Sequence, residues 1–183
     1  MTCGSIDPKC AKCRLSKGRT QVVAGVGRCA SRIIFVGEAP GKDEDLKGEP
    51  FVGRAGRILD GALEEAGSRR EDVYITNIVK CRPPDNRRPR KDEVEACQQF
   101  ISSEIERIRP AVVCALGQTV AEGLFGKKGK MADIAGRPFE TEIFERKVTA
   151  VIAYHPAACL YRRDKTNAFK DSIRKSLELA GVT

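Results

Sequence analysis

Apolar residues are concentrated in four short runs, and runs of this length predict buried strands. The runs cover residues 33–36, 73–79, 111–116 and 148–154. Between and after them, apolar residues recur every three or four positions, which predicts amphipathic helices. The helical patterns cover residues 58–63, 94–108 and 169–177. Alternation of strands and helices predicts a mostly parallel α/β sheet with helices on both faces.

The length of the chain suits a single domain. Its 183 residues are enough to bury a substantial core. We find no repeat and no low-complexity segment, and therefore expect one domain over residues 1–183.

Charge and cysteine content narrow the class of protein. The formal net charge is +8, which favours a polyanionic partner such as nucleic acid, although a basic enzyme without such a partner would fit as well. The sequence shows no signal peptide and no apolar stretch long enough to span a membrane. We therefore expect a cytoplasmic protein without membrane association, in which cysteine pairs are more often metal-binding or catalytic than disulfide-bonded.

Four of the eight cysteines have a spacing that is typical of a metal site. Cys10 and Cys13 form a C-x-x-C pair, and Cys81 and Cys97 lie far along the chain. Two thiolates from one tight turn and two from a remote segment can close a four-sulfur shell around zinc or an iron–sulfur cluster. Such a site would tie the N-terminal segment to the rest of the domain.

Polar or aromatic residues with possible functions follow three of the predicted strands. In doubly wound folds, ligands bind beyond the carboxyl ends of the strands. A Gly- and Pro-containing turn at 37–41 could present its amides to an anion or a carbonyl oxygen. Asn77 interrupts the second run, His155 ends the fourth and is the only histidine, and Phe51 lies in a Gly- and Pro-rich loop. Each has a structural alternative: an ordinary turn, an amide bonded to backbone, a structural histidine, and a core aromatic.

Taken together, these segments resemble the family 4 uracil-DNA glycosylases. The resemblance extends in order from Cys10 to the final predicted helix and includes the cysteine spacing. It implies a three-layer α/β/α fold with a central four-stranded parallel sheet, and removal of uracil from DNA to leave an abasic site. It also implies a [4Fe-4S] cluster on Cys10, Cys13, Cys81 and Cys97. The motifs that carry it are Gly37-Glu38-Ala39-Pro40-Gly41, Pro50-Phe51-Val52-Gly53, Thr76-Asn77-Ile78-Val79-Lys80-Cys81 and His155-Pro156-Ala157-Ala158.

The chemistry of uracil excision, together with this resemblance, suggests roles for the motif residues. A nucleotide must be flipped out of the helix, and breaking the N-glycosidic bond places negative charge on uracil and positive charge on the sugar. His155 would donate to a uracil carbonyl oxygen, and Asn77 would recognise the N3/O4 edge and reject cytosine. Phe51 would stack on the base. Glu38 would position water or stabilise the sugar cation. The turn holds no aspartate at the place of the family 1 water-activating residue, so the resemblance does not identify the group that activates water.

The remaining predicted contacts concern the rim of the site and the DNA backbone. Gly37, Ala39 and Gly41 would shape the turn and supply amides, and Glu44 would exclude the thymine methyl group. Ala157 replaces the serine that many relatives have after His-Pro, so a hydroxyl contact to phosphate is lost. Candidate phosphate-binding residues are Arg82, Arg87, Arg88, Arg162 and Arg163.

Several alternatives remain open on sequence alone. A non-catalytic DNA-binding module of the same fold, or a glycosylase with broader specificity for deaminated bases such as hypoxanthine, would share these motifs. A covalently acting glycosylase would need an inserted basic loop, which we do not find between residues 53 and 59. A small electron-transfer or zinc protein would leave the strand-end motifs unexplained. We expect a monomer that binds uracil-containing single- or double-stranded DNA, and contacts with replication or repair proteins cannot be inferred from the sequence.

Overall fold

The central element of the structure is a mixed sheet of six strands. The computed structural model describes residue 3, residues 6–160 and residues 162–182. The strands are β1 (Val26–Gly27), β2 (Ile33–Gly37), β3 (Tyr74–Asn77), β4 (Val112–Leu116), β5 (Phe139–Ile143) and β6 (Arg146–Ala153). Their order is β1-β3-β2-β4-β6-β5. The four inner strands are parallel, and the two edge strands pair antiparallel.

The four parallel strands are the four apolar runs, so the predicted four-stranded parallel core is confirmed. The edge strands extend it beyond the prediction. β1 has only two residues, and β5 alternates between half-buried and exposed side chains. Neither edge strand therefore contains an apolar run from which a strand could have been predicted.

Helices cover both faces of the sheet, which confirms the three-layer arrangement. The helices are α1 (Lys42–Lys47), α2 (Arg54–Glu65), α3 (Lys91–Ile108), α4 (Gln118–Phe125), α5 (Met131–Ile134) and α6 (Arg163–Ala180). The pleat of β2 separates two cores: Ile33 and Phe35 pack with α2 and α6, whereas Ile34 and Val36 pack with α3 and α4. The helices α2, α3 and α6 contain the three predicted helical patterns; α1, α4 and α5 were not predicted.

The topology directs attention to the carboxyl end of β2. The chain passes from β2 to β3 on one side and then crosses to β4 on the other. This reversal is the switch point where parallel α/β sheets bind ligands. Gly37, the last residue of β2, lies directly opposite Asn77, the last residue of β3.

The N-terminal segment is attached by a disulfide that the sequence did not indicate. Cys3 and Cys29 are bonded, with Cα atoms 5.4 Å apart and a sequence separation of 26. The loop that they close contains Cys10 and Cys13. No helix in the described residues is both long and apolar enough to cross a membrane.

Candidate active site

A cleft of about 400 Å³ opens at the switch point. Loops that follow β2, β3 and β6 form its walls, as expected for parallel strands that end at one edge. The structure brings together seven of the predicted catalytic and substrate-binding residues here: Glu38, Ala39, Gly41, Glu44, Phe51, Asn77 and His155.

Gly37 lies beneath the cleft and permits its close packing. A Cβ atom at this position would overlap both the Oδ1 atom of Asn77 and the ring of Phe51. Any larger residue would therefore push apart two side chains of the site. Gly37 therefore allows these two side chains to meet, and its predicted part in substrate binding stays a prediction.

Asn77 contributes an unpaired acceptor to the cleft. Its residue is 2% exposed, and its Oδ1 atom has no hydrogen-bond partner among the described residues. Most buried polar atoms are paired, because an unpaired one costs desolvation without compensation. An orphaned acceptor at the wall of a cleft is therefore suited to a donor on a ligand.

The imidazole of His155 is held in one tautomer by the main chain. Its Nδ1 atom accepts from the Ala157 N–H at 3.2 Å, so the proton of the neutral ring is on Nε2. Burial lowers the pKa of His155, while the charge of Glu44 opposes this. The side chain can therefore act as a neutral donor through Nε2–H.

Phe51 forms an aromatic wall between Gly37 and His155. Its ring centroid lies 6.2 Å from that of His155, with the planes tilted by 35°. The residue is 6% exposed and belongs to the core beneath α2. Phe51 is therefore a core aromatic that also lines the cleft, and its stacking on a base stays a prediction.

Glu44 joins the two loops that border the cleft. Its Oε2 atom accepts from Gly41 N–H at 3.1 Å, and its Oε1 atom accepts from Val52 and Gly53 N–H at 3.0 and 2.9 Å. Three amides thus hold one carboxylate at the edge of the cleft. Sequence reasoning assigned Glu44 to the cleft but did not foresee this bridging contact.

Comparison with known proteins agrees with this geometry. The sequence model of the Uracil DNA glycosylase superfamily matches residues 24–178. The type-4 uracil-DNA glycosylase of Archaeoglobus fulgidus is 46% identical over 94% of this chain and 88% of its own length. The type-4 enzymes of Saccharolobus solfataricus and Thermotoga maritima are 43% and 44% identical, over 93% and 94% of this chain and 81% and 88% of their own lengths.

This chain belongs to the type-4 uracil-DNA glycosylases. Membership in the family confirms the resemblance that the motifs indicated. A uracil-DNA glycosylase is a hydrolase of N-glycosyl bonds that acts in DNA repair.

Sequence reasoning overlooked one polar residue of the glycosylase cleft. Asn86 lines it together with Pro83 and Arg87. Asn86 has φ of 53° and accepts from Arg82 Nε at 2.8 Å. Its position just after a Pro-Pro pair and its tolerance of the left-handed region are signals of a turn rather than of a binding residue.

Most of the predicted phosphate-binding arginines already have partners. Arg87 forms two hydrogen bonds with the buried Glu93, at 2.9 and 2.6 Å, and holds the pKa of Glu93 down to about 2. Arg88 contacts Glu122, and Arg162 contacts Asp164. Arg163 is exposed at the start of α6. Arg87 therefore anchors the loop after β3 to α3, in addition to lining the cleft.

The four predicted metal-binding cysteines line a second, smaller cavity. Cys10 and Cys13 reach it from the N-terminal segment, Cys81 from the loop after β3, and Cys97 from α3. Arg19 donates to Cys81 Sγ at 3.3 Å. Burial raises the pKa of Cys81 to about 11, and Arg19 opposes that rise. Within the described residues, no group of three or more His, Cys, Asp or Glu side chains is placed so that it could hold a metal ion.

Proposed function

We propose that this protein excises uracil from DNA by hydrolysing the N-glycosidic bond, and that it leaves an abasic site. The observation that carries this proposal is the unpaired Oδ1 acceptor of Asn77 at the wall of the cleft. Uracil carries a hydrogen on N3, which can donate to this atom. Cytosine has a bare N3 acceptor there, so its binding would leave two acceptors facing each other.

The cleft suits a base that has left the duplex. A glycosylase must flip its target nucleotide into a pocket, at a cost of a few kcal/mol. Phe51 offers a ring face for stacking, and backbone amides around Ala39 offer donors to a carbonyl oxygen, whereas the Gly41 N–H already donates to Glu44. Glu44 stands at the rim as a fixed carboxylate, and we propose that it bars the methyl group of thymine.

His155 and Glu38 would stabilise opposite charges that develop as the bond breaks. As the glycosidic bond breaks, negative charge develops on the uracil oxygens, and Nε2–H of His155 would donate to one of them. The sugar becomes cation-like. The carboxylate of Glu38, which lines the same cleft, would stabilise that charge or orient the attacking water.

We further propose that the four thiols hold a [4Fe-4S] cluster. The donor set fits, because four cysteines surround one space and the Arg19 guanidinium offsets negative charge at Cys81. The bound cluster would supply a cross-link between the N-terminal segment, the loop after β3 and α3. Broad visible absorption with stoichiometric iron and sulfide would support it, whereas a colourless protein with stoichiometric zinc would contradict it.

The partner of the reaction is uracil-containing DNA, single- or double-stranded. The net charge of +8 supports contact with a polyanion. We propose a monomer that acts in the cytoplasm, at the nucleoid.

The test is an excision assay on oligonucleotides that contain uracil, hypoxanthine or a thymine mismatch, in single and double strands. We expect the wild-type protein to release uracil, and Asn77→Ala to lose at least about 10²-fold of the single-turnover rate, as for a lost transition-state contact. Asn167→Ala, which changes an exposed asparagine of α6, is the matched control. DNA binding without base release by the wild-type protein would favour a non-catalytic module, and near-normal turnover by Asn77→Ala would reject the recognition role.

A further inference from the structure

Phe51 has a backbone conformation that a bulky residue rarely adopts. Its φ is +55°, in the left-handed region that favours glycine. Such conformations persist only where the surroundings fix them, and they occur often at binding sites. The residues that fix Phe51 are therefore candidates for a functional role.

The side chain of Arg70 binds the main chain of this segment. Its Nη1 donates to the Phe51 carbonyl oxygen at 3.0 Å and to Asp60 Oδ1 at 2.9 Å, and its Nη2 donates to the Pro50 carbonyl oxygen. Asp60 belongs to α2, and Arg70 begins the short 3-10 turn that leads into β3. One guanidinium thus joins two successive carbonyl groups of the Phe51 loop to a helix.

Two further contacts complete the constraint from the other side. Glu44 accepts from the Val52 and Gly53 amides that follow Phe51. A Cβ atom at Gly56 would overlap the Phe51 carbonyl oxygen, so only glycine lets that carbonyl take its position. Arg70 therefore binds the carbonyl groups of Pro50 and Phe51, and Glu44 binds the amides of the two residues that follow.

We propose that Arg70, oriented by Asp60, is a positioning residue for uracil recognition. It holds the strained Phe51 segment so that the ring stays against Gly37 and beside His155. A planar guanidinium can serve two carbonyl groups and one carboxylate at once, whereas a lysine ammonium lacks that fixed geometry. The role of Phe51 in stacking rests on the proposed function, whereas the effect of Arg70 on the position of the ring does not.

The experiment compares Arg70→Gln and Arg70→Lys with Arg69→Gln. Arg69 is the neighbouring exposed arginine, and it pairs with Glu71 and Asp72 rather than with the loop. Single-turnover excision and inhibition by free uracil report on the cleft, and thermal unfolding reports on the fold. Incorporation of 4-fluorophenylalanine gives a ¹⁹F signal for Phe51, assigned with Phe51→Leu, that requires no substrate.

We expect both Arg70 variants to lose about tenfold or more in excision rate, which corresponds to about 1.4 kcal/mol in the free energy of activation, and to bind free uracil correspondingly more weakly. The ¹⁹F resonance of Phe51 should shift or broaden, and Arg69→Gln should match the wild type in every measurement. If the Arg70 variants fail to fold, Asp60→Asn is the replacement variant. It keeps Arg70 but weakens the ion pair that orients its guanidinium, and it should lower the excision rate by a smaller factor.

Unchanged excision, unchanged uracil inhibition and an unmoved ¹⁹F resonance in a folded Arg70 variant would overturn the proposal. So would a rate loss that follows only the loss of folded protein. If the wild-type protein excises no uracil, the proposed function fails, while the ¹⁹F shift still decides whether Arg70 positions the ring.

Discussion

The cleft and the cysteine cavity share one segment of chain but are built in different ways. Asn77 lines the cleft, and Lys80 and Cys81, three and four positions later, line the cavity. The cleft walls directly follow β2, β3 and β6, so the register of the sheet sets their positions. The cavity joins segments separated by about half of the chain, and the sheet does not set their spacing.

This difference indicates whether each region needs a bound ligand to keep its shape. The cleft can keep its shape without a ligand, because main-chain bonds to Glu44 and His155 fix its side chains. The cavity is lined by four thiols, and no strand pairing fixes their positions relative to one another. A bound cluster would supply the missing constraint, and the two regions would then meet at residues 77–81.

A buried cluster of four polar side chains holds the shared segment, residues 77–81, in place. Lys80 Nζ lies 2.7 Å from Glu104 Oε2, and both side chains are 1% exposed. Thr76 and Tyr74 donate their hydroxyl groups to the same carboxylate. The group thus fastens β3 and the loop after it to α3, which also carries Cys97.

The largest predicted effect is the loss of stability when one charged side chain of this cluster is removed. Lys80→Met leaves the Glu104 charge buried without its partner, which we expect to cost about 3–5 kcal/mol in the free energy of unfolding. The double variant Lys80→Met/Glu104→Leu removes both charges and should regain most of that loss. Urea unfolding followed by far-UV circular dichroism measures both.

A single variant as stable as the wild type would show that the pair does not secure the shared segment. Iron content provides the second measurement, because a loosened segment should release the proposed cluster before it unfolds the sheet. Lys91→Met, on an exposed side chain of α3, is the matched control, since surface ion pairs contribute little.

The second prediction affects the cleft alone. His155→Ala should lower the single-turnover excision rate by roughly 10²-fold, as for other lost donors to a developing negative charge. Iron content and thermal unfolding should stay close to the wild type. A rate loss accompanied by loss of iron would instead mean that the two regions are not independent.

The same histidine predicts a pH dependence. Burial lowers the pKa of His155 below its usual value near 6.5, so the ring stays neutral at neutral pH. Protonation of Nδ1 would place an N–H against the Ala157 N–H that it now accepts from. The excision rate should therefore hold down to pH 6.5 and fall only below it, and a fall centred above pH 7 would contradict this assignment.

The residues that line the cleft could be predicted from the sequence better than the contacts that hold its loops in place. The four inner strands were visible as apolar runs, and Asn77 and His155 followed them directly, so a general rule about strand ends placed them together. Arg70 and Glu44 bind main-chain groups of the Phe51 loop. No periodicity or spacing signals such contacts, because they depend on how a loop folds back over a helix.

The disulfide and the arginines illustrate the same limit. Cys3 shares a buried cluster with Tyr74, against which Cys29 packs, and β1, just before Cys29, was too short to predict. The arginine cluster was visible, but its pairing with Glu93, Glu122 and Asp164 was not. Charge composition indicated a polyanion partner without showing which cations are already paired.

The smallest predicted effect separates the two regions by their contact with DNA. Arg163 is exposed eight positions after His155, whereas the exposed Lys12 lines the cysteine cavity. If phosphates pass along the cleft side, Arg163→Gln should reduce the slope of log K against log salt by about 0.9 for duplex DNA, the value of one phosphate contact. Lys12→Gln should leave that slope unchanged, because we assign the cavity a structural role. Binding titrations of an abasic duplex at several salt concentrations measure both slopes, and an equal reduction by the two variants would mean that DNA contacts the cavity face as well as the cleft.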